Sequence, residues 1–266
     1  MPTHRGVPLK QTNQCLQAAM AFLERKGYHV MFHDICSPSI SANRNNSVKV
    51  AQEANADWLF FVDDDMVFDE DMIHKILEHD LDICGGLCVR KVFPYNPAVG
   101  VKIADQPGIF TQICNFGDDI LFECDCIGTA FLGIKMKVFD KLKKPYFAMP
   151  PTRLVLREDV LLRAIDEIEM AMTEANGDIA GIIKDAKAAC DKADEAMSVS
   201  GEDVYWCRNA QAAGFKLWCD TVAMIGHLGE YPYSYADTLR AKERVEREGG
   251  VDHRFDPIES GESAEA

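Results

Sequence analysis

The run Ala56–Val62 (ADWLFFV) is rich in large apolar side chains and ends abruptly in Asp63-Asp64-Asp65. This is the pattern of a strand buried on both faces inside a parallel sheet, stopped where the chain returns to water. A strand so buried needs helices on either side of its sheet, and the flanking sequence offers them. Lys10 to Lys26 carries Leu16, Met20 and Leu23 on one helical face, with Gly27 as the stop. Tyr28–Phe32 reads as a short strand, Ser39–Ser41 as helix caps, and Val48 and Ala51 as the apolar face of the next helix. Another helix over 69–79 and a strand over 82–89 follow. The alternation from 10 to 89 predicts a doubly wound α/β sheet with right-handed crossovers.

Beyond residue 93 the texture changes. Short strands with turn residues between them (109–113, 120–127, 131–135) predict a mixed, partly antiparallel region. A helix over 203–213 closes at Gly214, and 215–225 reads as two short strands. The stretch 158–198 stands apart, with apolar or alanine positions at 161, 165, 168, 172, 175, 179, 182, 186, 189, 193 and 196 in 4-3 spacing. As one helix it would separate its ends by about 60 Å. Asn176-Gly177-Asp178 supplies turn chemistry midway, so a helical hairpin is expected. The domain organisation that results is a single domain over 1–244, interrupted by the hairpin at 157–199, with a charged tail over 245–266.

Forty-three acidic residues against 28 basic ones leave a formal net charge of -15, which argues against a nucleic-acid groove, since phosphate binding needs a concentrated basic face. No stretch approaches the ~20 apolar residues of a membrane helix. The start, Met-Pro-Thr-His-Arg-Gly, lacks the apolar core of a signal peptide, so a cytoplasmic chain with reduced cysteines is expected. Cys84/Cys88 and Cys124/Cys126 lack the C-x2-C spacing of structural zinc, and most of the ten cysteines read as small buried apolar residues.

Asp63-Asp64-Asp65 is the strongest chemical signal. Strand alternation puts Asp63 and Asp65 on one face at the carboxyl end of the sheet, where open α/β folds bind ligands. Their mutual repulsion calls for a cation, and hard oxygen ligands suit Mg²⁺ or Mn²⁺. The bland alternative is a solvated acidic loop capping the next helix. A second constellation is Gly201-Glu202-Asp203 at a helix start, where amide dipoles keep a carboxylate ionised and suited to act as a base. The third is Ile225-Gly226-His227-Leu228-Gly229, whose histidine is either structural or a metal ligand.

These runs, together with Ser41-Ala42-Asn43-Arg44-Asn45, Gly128-Thr129-Ala130-Phe131-Leu132-Gly133-Ile134 and Ala213-Gly214-Phe215-Lys216-Leu217-Trp218, resemble GT-A glycosyltransferases, particularly the family-2-like type of bacteria and phages. The resemblance covers about 2–156 and 199–230, in the family's order. It implies a Rossmann-like, doubly wound mixed sheet and transfer of a sugar from a nucleoside-diphosphate donor (UDP favoured, GDP as an alternative) to a glycan or other hydroxyl acceptor, with inversion. It implies Mn²⁺ (or Mg²⁺) held by Asp63, Asp65 and His227. It places Pro2, Thr3, Arg5, Arg44, Asp63 and Asp64 at the nucleotide-sugar, Gly128, Thr129, Glu202 and Trp206 on the acceptor side, and Asp203 as catalytic base. Two departures stand out. The family places a central strand before the Pro-Thr loop, so a start upstream of Met1, or marginal stability, is expected. The 158–198 hairpin is outside the family pattern, and an acceptor, partner or oligomer contact through it is expected. The rival readings are a sugar-phosphate nucleotidyltransferase, for which Pro2–Lys10 lacks the glycines of a phosphate loop, and a non-catalytic carbohydrate- or nucleotide-binding relative.

Overall fold

The computed structural model describes residues 2–3, 9–37, 39–103, 106–116, 120–149, 168, 179–196, 201–229 and 232–251. Over these it is a mixed α/β protein with six helices and a sheet of both parallel and antiparallel strands. The helices are α1 (Lys10–Arg25), α2 (Ile40–Glu53), α3 (Met72–Glu78), α4 (Ile179–Ala196), α5 (Glu202–Ala212) and α6 (Tyr235–Arg247). The strands are β1 (Pro2–Thr3), β2 (Ile35–Cys36), β3 (Trp58–Val62), β4 (Met66–Val67), β5 (Ile83–Cys88), β6 (Val99–Ile103), β7 (Gln106–Gln112), β8 (Leu121–Cys124), β9 (Cys126–Ile127), β10 (Phe131–Lys135), β11 (Leu217–Leu228) and β12 (Pro232–Tyr233).

The main sheet has the order β12-β11-β5-β10-β3, with β4 and β8 also paired to β11. β10 runs antiparallel to both β3 and β5, and β11 runs parallel to β5. It follows that β3, β5 and β11 all point the same way and bring their carboxyl ends to one edge. Period-two alternation sends neighbouring side chains to opposite faces. Phe61, Ile83, Leu87, Leu132 and Ile134 pack on one face with Val48 of α2 and Trp206 of α5. Val62, Cys84, Cys88 and Phe131 pack on the other with Leu16, Ala19 and Leu23 of α1 and Ile73 and Ile76 of α3. The layers are therefore helix, sheet and helix. Cys84, Cys88, Cys114, Cys124, Cys207 and Cys219 are buried free thiols, as their reading as small apolar residues implies.

Several elements differ from the sequence expectation. β3 is not the centre of a parallel sheet. Its paired neighbour is antiparallel β10, inserted from 70 residues further on, and Trp58, Leu59 and Phe60 stay half-buried. Among the described residues nothing pairs with its other edge, and a cavity of about 440 Å³, lined by Leu16, Leu23, Val30, Val50 and Trp58 among others, opens beside it. Tyr28–Phe32 joins no ladder among the described residues; Gly27, with φ of +90°, closes α1, and the strand comes later, at Ile35–Cys36. Within the stretch 215–225, residues 217–225 belong to one strand, β11, rather than two. Its ladder with β5 shifts register between Asp220 and Met224, because the Asp220 carboxylate accepts from the Val222 and Ala223 amides at 2.8 Å each and removes both donors from the ladder. Among the described residues parallel pairing is confined to β1–β2 and β5–β11, so the doubly wound parallel expectation holds only in part. α6 continues to Arg247, past the expected domain end at 244. α4 supplies a helix for the second half of the expected hairpin; apart from Ile168, its first half and its turn lie outside the described residues.

Candidate functional site

The end of β3 fixes Asp63, Asp64 and Asp65 by backbone bonds on both sides. The Asp63 amide donates to Ala130 of the β10 side at 2.9 Å, and Leu9, preceding α1, donates to the Asp64 carbonyl at 3.0 Å. After the triplet, β4 turns onto β11 and pairs Met66 with His227, while the Leu228 amide donates to the Asp65 carbonyl at 2.7 Å. Residues about 160 positions apart in sequence thus become cross-strand neighbours.

His227 and Asp65 meet directly. His227 Nε2 lies 3.3 Å from Asp65 Oδ1, and His227 Nδ1 lies 2.8 Å from the Val89 carbonyl. A carbonyl only accepts, so Nδ1 carries a hydrogen. Nε2 then meets the carboxylate either as the N–H of an imidazolium or as a lone pair, and the second arrangement requires a cation between the two. A metal-bound histidine commonly donates its other ring N–H to a backbone carbonyl in this way. The other Asp65 oxygen, Oδ2, accepts from Lys91 Nζ at 2.6 Å. Burial pushes the Asp65 carboxyl up, but hydrogen bonds from His227 and Lys91 outweigh it and hold it down at about 2.

Asp63 belongs to a different contact. Its Oδ1 lies 3.4 Å from the Arg44 guanidinium, which also pairs with Glu202. Arg44 is 3% exposed, so α2, the end of β3 and the start of α5 are joined by one buried cation. Burial pushes the Asp63 carboxyl up, against the downward pull of Arg44. The three-ligand set Asp63, Asp65 and His227 therefore does not converge as a unit: Asp65 and His227 come together, and Asp63 is engaged by Arg44.

Asp65 and His227 fit a divalent cation. Two ligands at right angles, each about 2.1 Å from a metal, stand roughly 3.0 Å apart, close to the 3.3 Å between these atoms. Among the described residues no group of three or more His, Cys, Asp and Glu side chains forms a cage. The remaining positions would fall to water and substrate oxygens, the usual manner of Mg²⁺-type sites. Asp64 Oδ2, between the two other carboxylates in sequence, is buried without a partner among the described residues.

α5 starts at Gly201, whose φ of +101° excludes an ordinary side chain; a Cβ there would also stand 2.6 Å from Asp203 Oδ1. Asp203 Oδ1 accepts from the Val204 amide at 2.8 Å, and the side chain is half-buried. Glu202, one position earlier, turns inward to Arg44. Trp206 lies one helical turn beyond Glu202 on the same inward face. It is fully buried and stacked on Phe147 at 5.7 Å with 9° between planes. The Trp206 ring, expected on the acceptor side, is packed in the core.

Thr129 is 1% exposed, and its Oγ1 lacks a partner among the described residues. Gly128 packs on Ala98, to whose carbonyl its amide donates at 2.7 Å, and a Cβ there would meet the Ala98 Cβ at 3.0 Å. Pro2 and Thr3 form β1, parallel to Ile35 and Cys36; Arg5 lies outside the described residues. Two contributors were missed in the sequence. Lys91 sits in an unremarkable stretch after β5 and carries no local signal. Asn45 does belong to the Ser41–Asn45 run; its side chain clasps the Phe147 carbonyl at 2.7 Å and the Tyr146 and Phe147 amides at 3.0 and 3.2 Å, locking α2 to that loop.

No protein-family model matches the chain, and no curated protein matches it. Among solved structures the chain is similar to A197 from STIV, at 15% sequence identity over 86% of this chain and 83% of that chain, with a TM-score of 0.47. Among the described residues no helix is long and apolar enough to cross a membrane.

Proposed function

We propose that the chain is a glycosyltransferase of the GT-A type, moving a sugar from a nucleoside-diphosphate sugar to a hydroxyl acceptor. The observation that carries this reading is the pairing of Asp65 with His227 at the carboxyl edge of β3 and β11. Beside it, Arg44 ties the same edge to the helix that starts with Glu202 and Asp203. An acidic protein with a formal charge of -15 needs local positive charge to hold a diphosphate, and Lys91 and a metal would supply it.

In the mechanism, Asp65 and His227 would hold Mn²⁺ or Mg²⁺, which when bound neutralises charge on the departing diphosphate. The other work falls to the chain's own groups. Val89 fixes the His227 ring through Nδ1. Arg44 holds Glu202 inward, which orients the first turn of α5 and leaves the Asp203 carboxyl to face the acceptor. As the acceptor oxygen attacks the anomeric carbon, its O–H proton passes to an Asp203 oxygen. The new C–O bond forms as the bond to the diphosphate oxygen breaks, and that oxygen leaves with the electron pair. A base of this kind contributes roughly 10²–10⁴ in rate. Attack opposite the leaving group inverts the anomeric centre.

The test is a panel of UDP-, GDP- and dTDP-sugars, with Mn²⁺ or with EDTA, followed by thermal unfolding and by mass spectrometry of donor hydrolysis. One donor should raise the melting temperature and be slowly hydrolysed in Mn²⁺ but not in EDTA; at 100 times its Kd the gain is about 2.7 kcal/mol. If no donor does either, the proposal fails.

A further inference from the structure

Lys91 stands in the position of charge that a metal at this site would need. Its Nζ is 2.6 Å from Asp65 Oδ2, while His227 takes Oδ1 at 3.3 Å. Lys91 and the carbonyl that fixes the His227 ring both come from the end of β5. Val89, which fixes His227, is two residues before Lys91, and the stretch between β5 and β6 is closed by the Val89–Pro97 bridge and by the Arg90 amide donating to Asn96 at 2.9 Å. The route of the lysine stem is also shaped. A Cβ on Gly229 would stand 3.3 Å from Lys91 Cδ and 2.7 Å from the Tyr233 ring, so a glycine there leaves the corridor along which Lys91 reaches Asp65. The Lys91 side chain is 36% exposed, against 19% for Asp65 and 20% for His227. The arm can therefore swing outward while its two partners stay in place. A lysine ammonium is a compact point charge on a flexible stem, suited to being held and then released.

We infer that Lys91 is the resident counter-ion of this site: it and a divalent cation compete for Asp65, and on metal entry the ammonium leaves the carboxylate and turns to the diphosphate of the donor. This rests on the metal-binding reading of Asp65 and His227 given above. A dication beside Asp65 repels the ammonium at this range, whereas an incoming diphosphate attracts it. The released lysine stays within a side chain's reach of the same point. Metal binding without donor is then weakened by Lys91, and donor binding with metal is strengthened by it. The arrangement also keeps Asp65 compensated when no metal is bound, so that no uncompensated carboxylate is left in a partly buried position.

The experiment is a calorimetric titration of EDTA-stripped protein with Mn²⁺ alone, then with UDP in saturating Mn²⁺, on the unmodified protein, Lys91→Met, Lys91→Gln and Asp65→Asn. Expected is about tenfold or more tighter Mn²⁺ binding in both lysine variants, with UDP binding weakened by a similar factor and Mn²⁺ binding lost in Asp65→Asn. The glutamine variant keeps a polar side chain, and its folding is checked by circular dichroism, so the result does not depend on the methionine variant folding. If Mn²⁺ binds the lysine variants no more tightly than the unmodified protein, while Asp65→Asn abolishes binding, the inference is overturned and the metal site stands. If Mn²⁺ binds none of the four proteins at millimolar concentration, the metal reading falls and takes the inference with it.

Discussion

Glu202 and Asp203 are adjacent carboxylates whose environments part within one residue. On a helix, neighbours point about 100° apart. Glu202 shares the inward face with Trp206 and meets Arg44, and Asp203 is left half-buried at the first turn. That separation yields a prediction at the scale of a single atom. Asp203→Asn keeps the shape and the bond to the Val204 amide but removes the basicity, so kcat should fall by about 10²–10⁴ while donor affinity barely changes. If Asp203 is only a helix cap, the loss is instead about 1 kcal/mol of stability. Steady-state kinetics beside a urea melt separate the two outcomes. An NMR assignment of the product anomer tests the same residue independently, since retention would remove any role for Asp203 as the base in an inverting displacement.

Elements are held together here by a few charged groups placed where helices and strands end. Arg44 joins α2, β3 and α5, and its 3% exposure means that removing it leaves Glu202 and Asp63 facing each other without compensation. Arg44→Met is expected to cost about 3–5 kcal/mol, and the Arg44→Met/Glu202→Gln pair to recover part of it; urea unfolding of the three proteins measures both. Asp125, between β8 and β9, does a similar task in a wetter place. Its Oδ1 accepts from Gln211 of α5 and its Oδ2 from the Lys102 amide of β6, each at 2.8 Å. Burial pushes this carboxyl up, but the Lys102 amide, Gln211 and the Lys102 ammonium outweigh it and hold it below its usual range. A folded-state value lower than the unfolded one of about 3.9 contributes stability that is full above that pH and is lost as pH falls further. Asp125→Asn should therefore cost about 1–2 kcal/mol at pH 6, and the difference from the unmodified protein should shrink below pH 4, as read from urea melts across that range.

On the scale of the whole molecule, a sheet with both faces covered brings Asp65 and His227 together on one edge, and α4 lies beside β7. Replacing 160–197 by a short Gly/Ser linker is expected to leave Mn²⁺-dependent donor hydrolysis intact and to reduce transfer to the acceptor or the oligomeric mass. Light scattering and a transfer assay on the same preparation check this, and unchanged values in both would remove any function for the insert.

Much of this was legible in local pattern. Helical periodicity located α1, α2 and α5 because each buries one stripe. The apolar run before Asp63 announced a strand end, and Gly201-Glu202-Asp203 announced a helix start. What the sequence could not show was who stands beside whom. β10 enters between β3 and β5, β4 turns onto β11, and Asp220 shifts the β11 register with its own side chain; each depends on hydrogen-bond partners distant in the chain. Trp206 looked like a ligand-facing aromatic beside a catalytic motif, and only packing against Phe147 decided that it is core. Lys91 carried no signal, since a lone lysine after a strand is ordinary until folding brings its ammonium to Asp65. Residue type and spacing determined which groups could be ionised, apolar or helical, because those properties are local. The tertiary structure alone decided that Asp65 meets His227 and Lys91 while Asp63 meets Arg44, because electrostatic partnership depends on distances of a few ångströms that no linear pattern encodes.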